Sequence, residues 1–262
     1  NLGGSTSTSG TLAIGTGADT IGSVMIGTDD VTMGGTVNGT YGDLVVTVSG
    51  GVYSWTYTLN DNAAHAGSNL TGAADQLAGE TFAVVVTDSD GDFTAAKNLI
   101  VTINDDGPTV TVNAVADGSI TLTTQDAQTI GSATDTSSAS FAAAFLAVAV
   151  PHYGADGAGS TAISGYSLSV ADTASGLKSD GLDIALATAT NGDVVGSTTA
   201  GEVFRISVST GGNVTLTQSA EVDHVGDGNN TQIALAAGKV SLSATATTTD
   251  GDGDTATATV NA

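Results

Sequence analysis

Cysteine is absent from the 262 residues, so no disulfide can tie a small core together, as it does in many secreted domains. Basic residues are nearly absent too. Lys97, Lys178, Arg205 and Lys239 stand against 27 acidic side chains, a formal net charge of −23. That balance argues against nucleic acid or an anionic membrane surface as partner. Aromatics make up only 4%, so any core is built mainly from Val, Ile, Leu and Ala and buries little area per residue. Helix-favouring Glu, Lys, Gln and Arg are scarce. The longest apolar stretch, Ala139 to Val150, is too short to span a bilayer and reads as a buried strand or short helix. Residues Asn1 to Gly10 lack the basic and apolar segments of a signal peptide, and both ends read as cut from a longer polypeptide.

What the chain does contain is Gly, Thr, Ala, Ser, Val and Asp, a bias toward β-structure with glycine-rich turns. Leu44, Val46 and Val48 alternate with polar residues, Ser49-Gly50-Gly51 turns, and Tyr53, Trp55, Tyr57 and Leu59 alternate again. That pattern predicts a hairpin with one apolar face, and places Trp55 in a core rather than on a sugar. Phe204, Ile206 and Val208, a turn at Thr210 to Asn213, then Val214 and Leu216 repeat it. Many short strands at this spacing predict an all-β sandwich.

Three anchors recur in the same order. They are Gly17-Ala18-Asp19 with Gly154-Ala155-Asp156, the hairpins at 42–51 and 201–212, and two acidic turns. The offset grows from 137 positions (Gly17 to Gly154) to 162 (Asp88 to Asp250), so the second copy carries about 25 extra residues. The expected boundary is Asn104-Asp-Asp-Gly-Pro108, giving one domain over 1–106 and a longer one over 107–262. The first has at most a short counterpart of residues 107–153.

The acidic turns carry the chemistry. Thr87-Asp-Ser-Asp-Gly-Asp92 and Thr249-Asp-Gly-Asp-Gly-Asp254 each lie between two alternating runs. Three carboxylates in one tight turn repel one another unless a cation sits among them. Hard oxygen donors without His or Cys suit Ca2+. An EF-hand is excluded, because the positions that need Gly and Glu hold Phe93 and Leu99, or Thr255 and Asn261. The expected ligands are Asp88, Asp90 and Asp92, then Asp250, Asp252 and Asp254, with Asp105 and Asp106 completing a shared site where the domains meet. One turn cannot easily supply the six to eight oxygens calcium takes. Asp19 and Asp156 stand open between turn residue and ligand, Asp29-Asp30 reads as a plain turn, and Asp227 has no assignable role. His65, His152 and His224 show no metal spacing. No nucleophile elbow or catalytic triad signal is present, so an enzyme is not expected.

Tyr53-Ser-Trp-Thr-Tyr-Thr-Leu59, Val84-Val-Val-Thr-Asp-Ser-Asp-Gly-Asp92 and Val101-Thr-Ile-Asn-Asp-Asp106 together resemble a VCBS-type repeat. Val203-Phe-Arg-Ile-Ser-Val208, Val214-Thr-Leu-Thr-Gln218, Val222-Asp-His224 and Thr249 to Ala258 resemble a second repeat type of the same proteins, the large repeats-in-toxin (RTX) adhesins of Gram-negative bacteria. The resemblance implies two tandem Ig-like or cadherin-like β-sandwich domains with calcium at the loops and junction. It also implies type I secretion, folding outside the cell, and a role in projecting a ligand-binding tip for attachment and biofilm formation. The partners implied are neighbouring repeats of the same polypeptide, the chain itself being a monomer. No Gly-Gly-x-Gly-x-Asp array is present, so this is not the RTX β-roll. The alternative is a calcium-dependent glycan- or ligand-binding module, with the insertion between Ser160 and Ala200 as its expected site.

Overall fold

The computed structural model describes residues 6–60, 63, 72–131, 133–224 and 231–262. The chain is all-β: strands hold more than half of the described residues, which contain one α-helix. That helix is far too short and that is the only one, so no helix among the described residues could cross a membrane. Two compact units form. The first comprises residues 1–108 with 153–159 and 249–255; the second comprises 109–152, 160–248 and 256–262. The sequence-based boundary after residue 106 falls two residues short of the break at 108. Segments 153–159 and 249–255, assigned to the second domain by sequence, group with the first unit.

The first unit contains β1 (Ser7–Leu12), β2 (Ile21–Ile26), β3 (Asp29–Asp30), β4 (Gly35–Asn38), β5 (Gly42–Ser49), β6 (Val52–Leu59), β7 (Gly72–Asp88) and β8 (Lys97–Asp105). They make two four-stranded sheets, β1-β6-β5-β4 and β3-β2-β7-β8. One core joins both: Leu44, Val46, Tyr53 and Tyr57 from the first sheet pack with Val24, Ile26, Phe82, Val86 and Val101 from the second. This is the packing of a sandwich. The β5–β6 hairpin pairs Ser49 with Val52 across Gly50 and Gly51, both at positive φ (57° and 80°), as a two-residue turn requires. Trp55 is half-buried against the core, its indole lying over Gly10 of β1.

The second unit contains β9 (Thr109–Val112), a 3-10 turn at Asp126–Gln128, β10 (Asp135–Ser140), α1 (Ala142–Val148) and β11 (Ala149–His152). Then follow β12 (Ala158–Val170), β13 (Ala174–Ser179), β14 (Leu182–Thr188), β15 (Val194–Thr198), β16 (Gly201–Val208), β17 (Asn213–Gln218), β18 (Val240–Asp250) and β19 (Thr255–Asn261), of which residues 158–159, 249–250 and 255 belong to the first unit. The sheets are β10-β17-β16-β15-β14-β13, β12-β18-β19 and β9-β11. Phe145, Ile184, Leu186, Val194, Val203, Val214, Leu242, Ala246 and Val260 are among its core. The apolar run from Ala139 resolves into the end of β10, the helix, and β11. Helical spacing puts Phe145 and Val148 together in the core.

The internal repeat is visible in the pairing. Sheet β1-β6-β5-β4 has its counterpart in β10-β17-β16-β15, and β2-β7-β8 in β12-β18-β19. The short counterpart of residues 107–153 is therefore β1, which pairs with β6 as β10 pairs with β17. The extra residues of the second copy build β13 and β14, which widen one sheet by two strands.

Candidate metal centre

Strand alternation delivers the key carboxylates. In β8 the inward positions are Val101, Ile103 and then Asp105. In β18 they are Leu242, Ala244, Ala246, Thr248 and then Asp250. Each strand thus ends by pointing an aspartate where its pattern has been placing apolar or small side chains. Asp105 is 6% exposed, Asp250 4% and Asp254 1%. Burial of this kind is costly for a carboxylate unless it is compensated.

All three of these acids belong to the first unit. Oδ1 of Asp250 fastens its own turn, accepting the N–H of Gly253 (3.2 Å) and of Asp254 (2.8 Å). Its Oδ2 is buried and receives no hydrogen bond, and the same holds for Oδ2 of Asp252. Asp106 Oδ1 accepts the Ala155 N–H at 3.0 Å, which fixes segment 153–159 and brings Asp156 alongside. Close approach also demands glycine here. A Cβ on Gly159 would stand 2.3 Å from the Asp250 carbonyl oxygen, and one on Gly251 2.1 Å from that of Asp156.

Two groups of ligand atoms result, each within 4.8 Å of one another: Asp105, Asp106 and Asp156, and Asp156, Asp250 and Asp252. Burial pushes the Asp105 carboxyl up to about 7, helped by the Asp254 carboxyl hydrogen-bonded to it and by the charges of Asp156 and Asp252. Burial, and then the Asp252 carboxylate against it, push Asp250 up to about 6. Both shifts have the sign expected of carboxylates crowded in a low-dielectric site. The donor set is oxygen alone, which fits a hard divalent cation and fits a thiolate- or imidazole-seeking metal poorly.

The first acidic turn repeats the local geometry without the burial. Asp88 Oδ1 accepts the N–H of Gly91 (3.2 Å) and Asp92 (2.9 Å), and Gly22 approaches the Asp88 carbonyl oxygen as Gly159 approaches that of Asp250. Asp19, Asp88 and Asp90 form a third group within 4.8 Å, largely exposed. A side-chain hydrogen bond with Asp90, and then the turn's N–H donors, hold Asp88 below the ordinary carboxylate range.

Of the residues expected from sequence, Asp105, Asp106, Asp250 and Asp252 are gathered with Asp156, and Asp254 packs against Asp105. Asp88 and Asp90 are gathered with Asp19. Asp92 falls outside these groups and serves its turn through the backbone, where its carbonyl accepts the Asp88 N–H. Asp30 closes a local turn by accepting the Thr32 N–H at 2.9 Å. The recurrence of Gly-Ala-Asp was the signal for Asp19 and Asp156. His65 and Asp227 lie outside the described residues.

The second unit holds a cavity of about 430 Å³ with an apolar wall from Leu122, Leu216 and Leu235 and a polar edge from Asp126, Gln218 and His224. Asp126 Oδ2 pairs with His224 Nδ1 at 3.0 Å, and its Oδ1 accepts the Val222 N–H at 3.1 Å. The insertion expected to carry a ligand site contributes Leu177 alone to this lining.

Architecture and site together define an all-β, antiparallel sandwich protein with an all-carboxylate cluster in its first unit. The chain belongs to the family described as Domain of unknown function (DUF5801), which matches residues 115–262, more than half of its length. The matched span includes Asp156, Asp250, Asp252 and Asp254; Asp105 and Asp106 precede it. Compared with curated proteins and with solved structures, the chain matches none.

Proposed function

We propose that the chain is a calcium-stabilised structural segment, a spacer in a large extracellular adhesin of the RTX kind, exported by a type I system. In this reading it is not an enzyme. It works as a monomeric stretch among further repeats of the same polypeptide and holds a binding tip away from the cell surface. The observation that carries the reading is the buried Asp250 carboxylate, whose second oxygen has no hydrogen-bond donor and faces two further carboxylates. A cation there offsets both the burial and the repulsion. The net charge of −23 adds a reason for folding to await calcium outside the cell.

The test is mechanical. Stretched singly in millimolar calcium, the chain should unfold at a clearly higher force than after chelation, and Asp252→Ala should remove most of the difference. Equal forces in both conditions would defeat the spacer reading. A second reading, a ligand-binding module, is favoured by the cavity beside Asp126 and His224. No metal cluster among the described residues includes its lining, so calcium bridging to a sugar has no support there. A glycan-array screen separates the two, a spacer giving no sugar-specific signal.

A further inference from the structure

We infer that the buried cluster takes two divalent cations, one held by Asp105, Asp106 and Asp156 and the other by Asp156, Asp250 and Asp252, with the Asp156 carboxylate bridging them. The inference rests on the calcium reading above and deepens it. The two groups of ligand atoms meet only at Asp156. A carboxylate has two oxygens and can serve two ions, and paired metal sites place their ions about 3.5–4 Å apart.

Three observations carry the second ion beyond the first. Asp250 is 4% exposed and its Oδ2 is without a donor, as is Oδ2 of Asp252, so the far side of Asp156 is built to receive a cation. On the near side, Asp105 is buried by strand register, and Asp106 is held in place by the Ala155 N–H. One divalent ion would leave most of the charge of these acids uncompensated. Three of the four basic residues are engaged elsewhere: Lys178 with Asp183, Arg205 with Asp193 and Glu202, and Lys239 with Asp172.

The chain supplies its own comparison. Asp19, Asp88 and Asp90 reproduce the group of Asp156, Asp250 and Asp252, anchor for anchor and turn for turn. Among the described residues, no second group adjoins that exposed one. The repeat therefore brings one cation site with it, and the arrival of Asp105 and Asp106 adds a second.

Equilibrium dialysis against calcium tests this in a chain carrying Asp88→Asn and Asp90→Asn, which silences the exposed group while keeping its turn acceptors. Two ions per chain are expected. Adding Asp105→Asn should leave one, and adding Asp156→Asn instead should leave none at the same free calcium. Terbium and europium loaded together should transfer energy within one chain, and Asp105→Asn should abolish that transfer. A count of one in the starting chain, with no transfer, would overturn the pair while leaving a single-ion calcium site standing. A count of zero would overturn the calcium reading as well.

Discussion

An aspartate at the inward position of a strand is the most consequential residue choice in this chain. At Asp250 the alternation of β18 has already buried Leu242, Ala244, Ala246 and Thr248, and the next inward side chain is a carboxylate. Nothing in stability alone favours that choice, because Asn would make the same turn bonds without a buried charge. Asp250→Asn should accordingly stabilise the chelated protein above pH 6, by about 3 kcal/mol given the rise of the carboxyl to about 6. It should also cut the stabilisation gained from calcium. Thermal melts with and without chelator read both effects. A variant that melts lower in chelator and keeps the full calcium gain would show that Asp250 is a turn residue and no ligand.

At the scale of strands and hairpins, much of the architecture is legible in the sequence, because period-two alternation and Gly-Gly turns are local signals. The β5–β6 and β16–β17 hairpins, the repeat and the extra residues that become β13 and β14 all follow from it. The candidate site was legible only in part. The two acidic turns are near-identical hexapeptides, yet one is exposed and one buried, because burial depends on segments 105–106 and 153–159, distant in sequence. The pairing of Asp156 with Asp250 and Asp252 is a long-range fact for the same reason. The run from Ala139 was ambiguous between strand and helix because its apolar residues fit both periods, and Phe145 with Val148 decides for a helix.

The ends of β8 and β18 also make a pH prediction. A carboxyl whose pKa is raised on folding, to about 7 for Asp105 and about 6 for Asp250, binds its proton more tightly in the folded state. In chelator these groups therefore destabilise the fold as the pH rises from about 4 to about 8, by roughly 4 kcal/mol for Asp105 alone. The metal-free protein should melt higher near pH 5 than near pH 8. Saturating calcium should reverse the trend, since the ion binds the deprotonated form. Urea midpoints across that range, with and without calcium, check the sign. A metal-free midpoint that climbs with pH would contradict the assignment of these two groups.

For the whole molecule, thin aliphatic cores, no disulfide and a net charge of −23 are the burdens that bound cations would offset. The proposed cations all lie in the first unit. The most direct test is the melting temperature of the chelated chain near pH 8 as calcium is added back. Calcium a hundredfold above its dissociation constant contributes about 2.7 kcal/mol per site. Two ions held through Asp156 should therefore raise the melting temperature by roughly 10–20 °C, a rise that Asp156→Asn largely removes. Melting curves that coincide with and without millimolar calcium would contradict it.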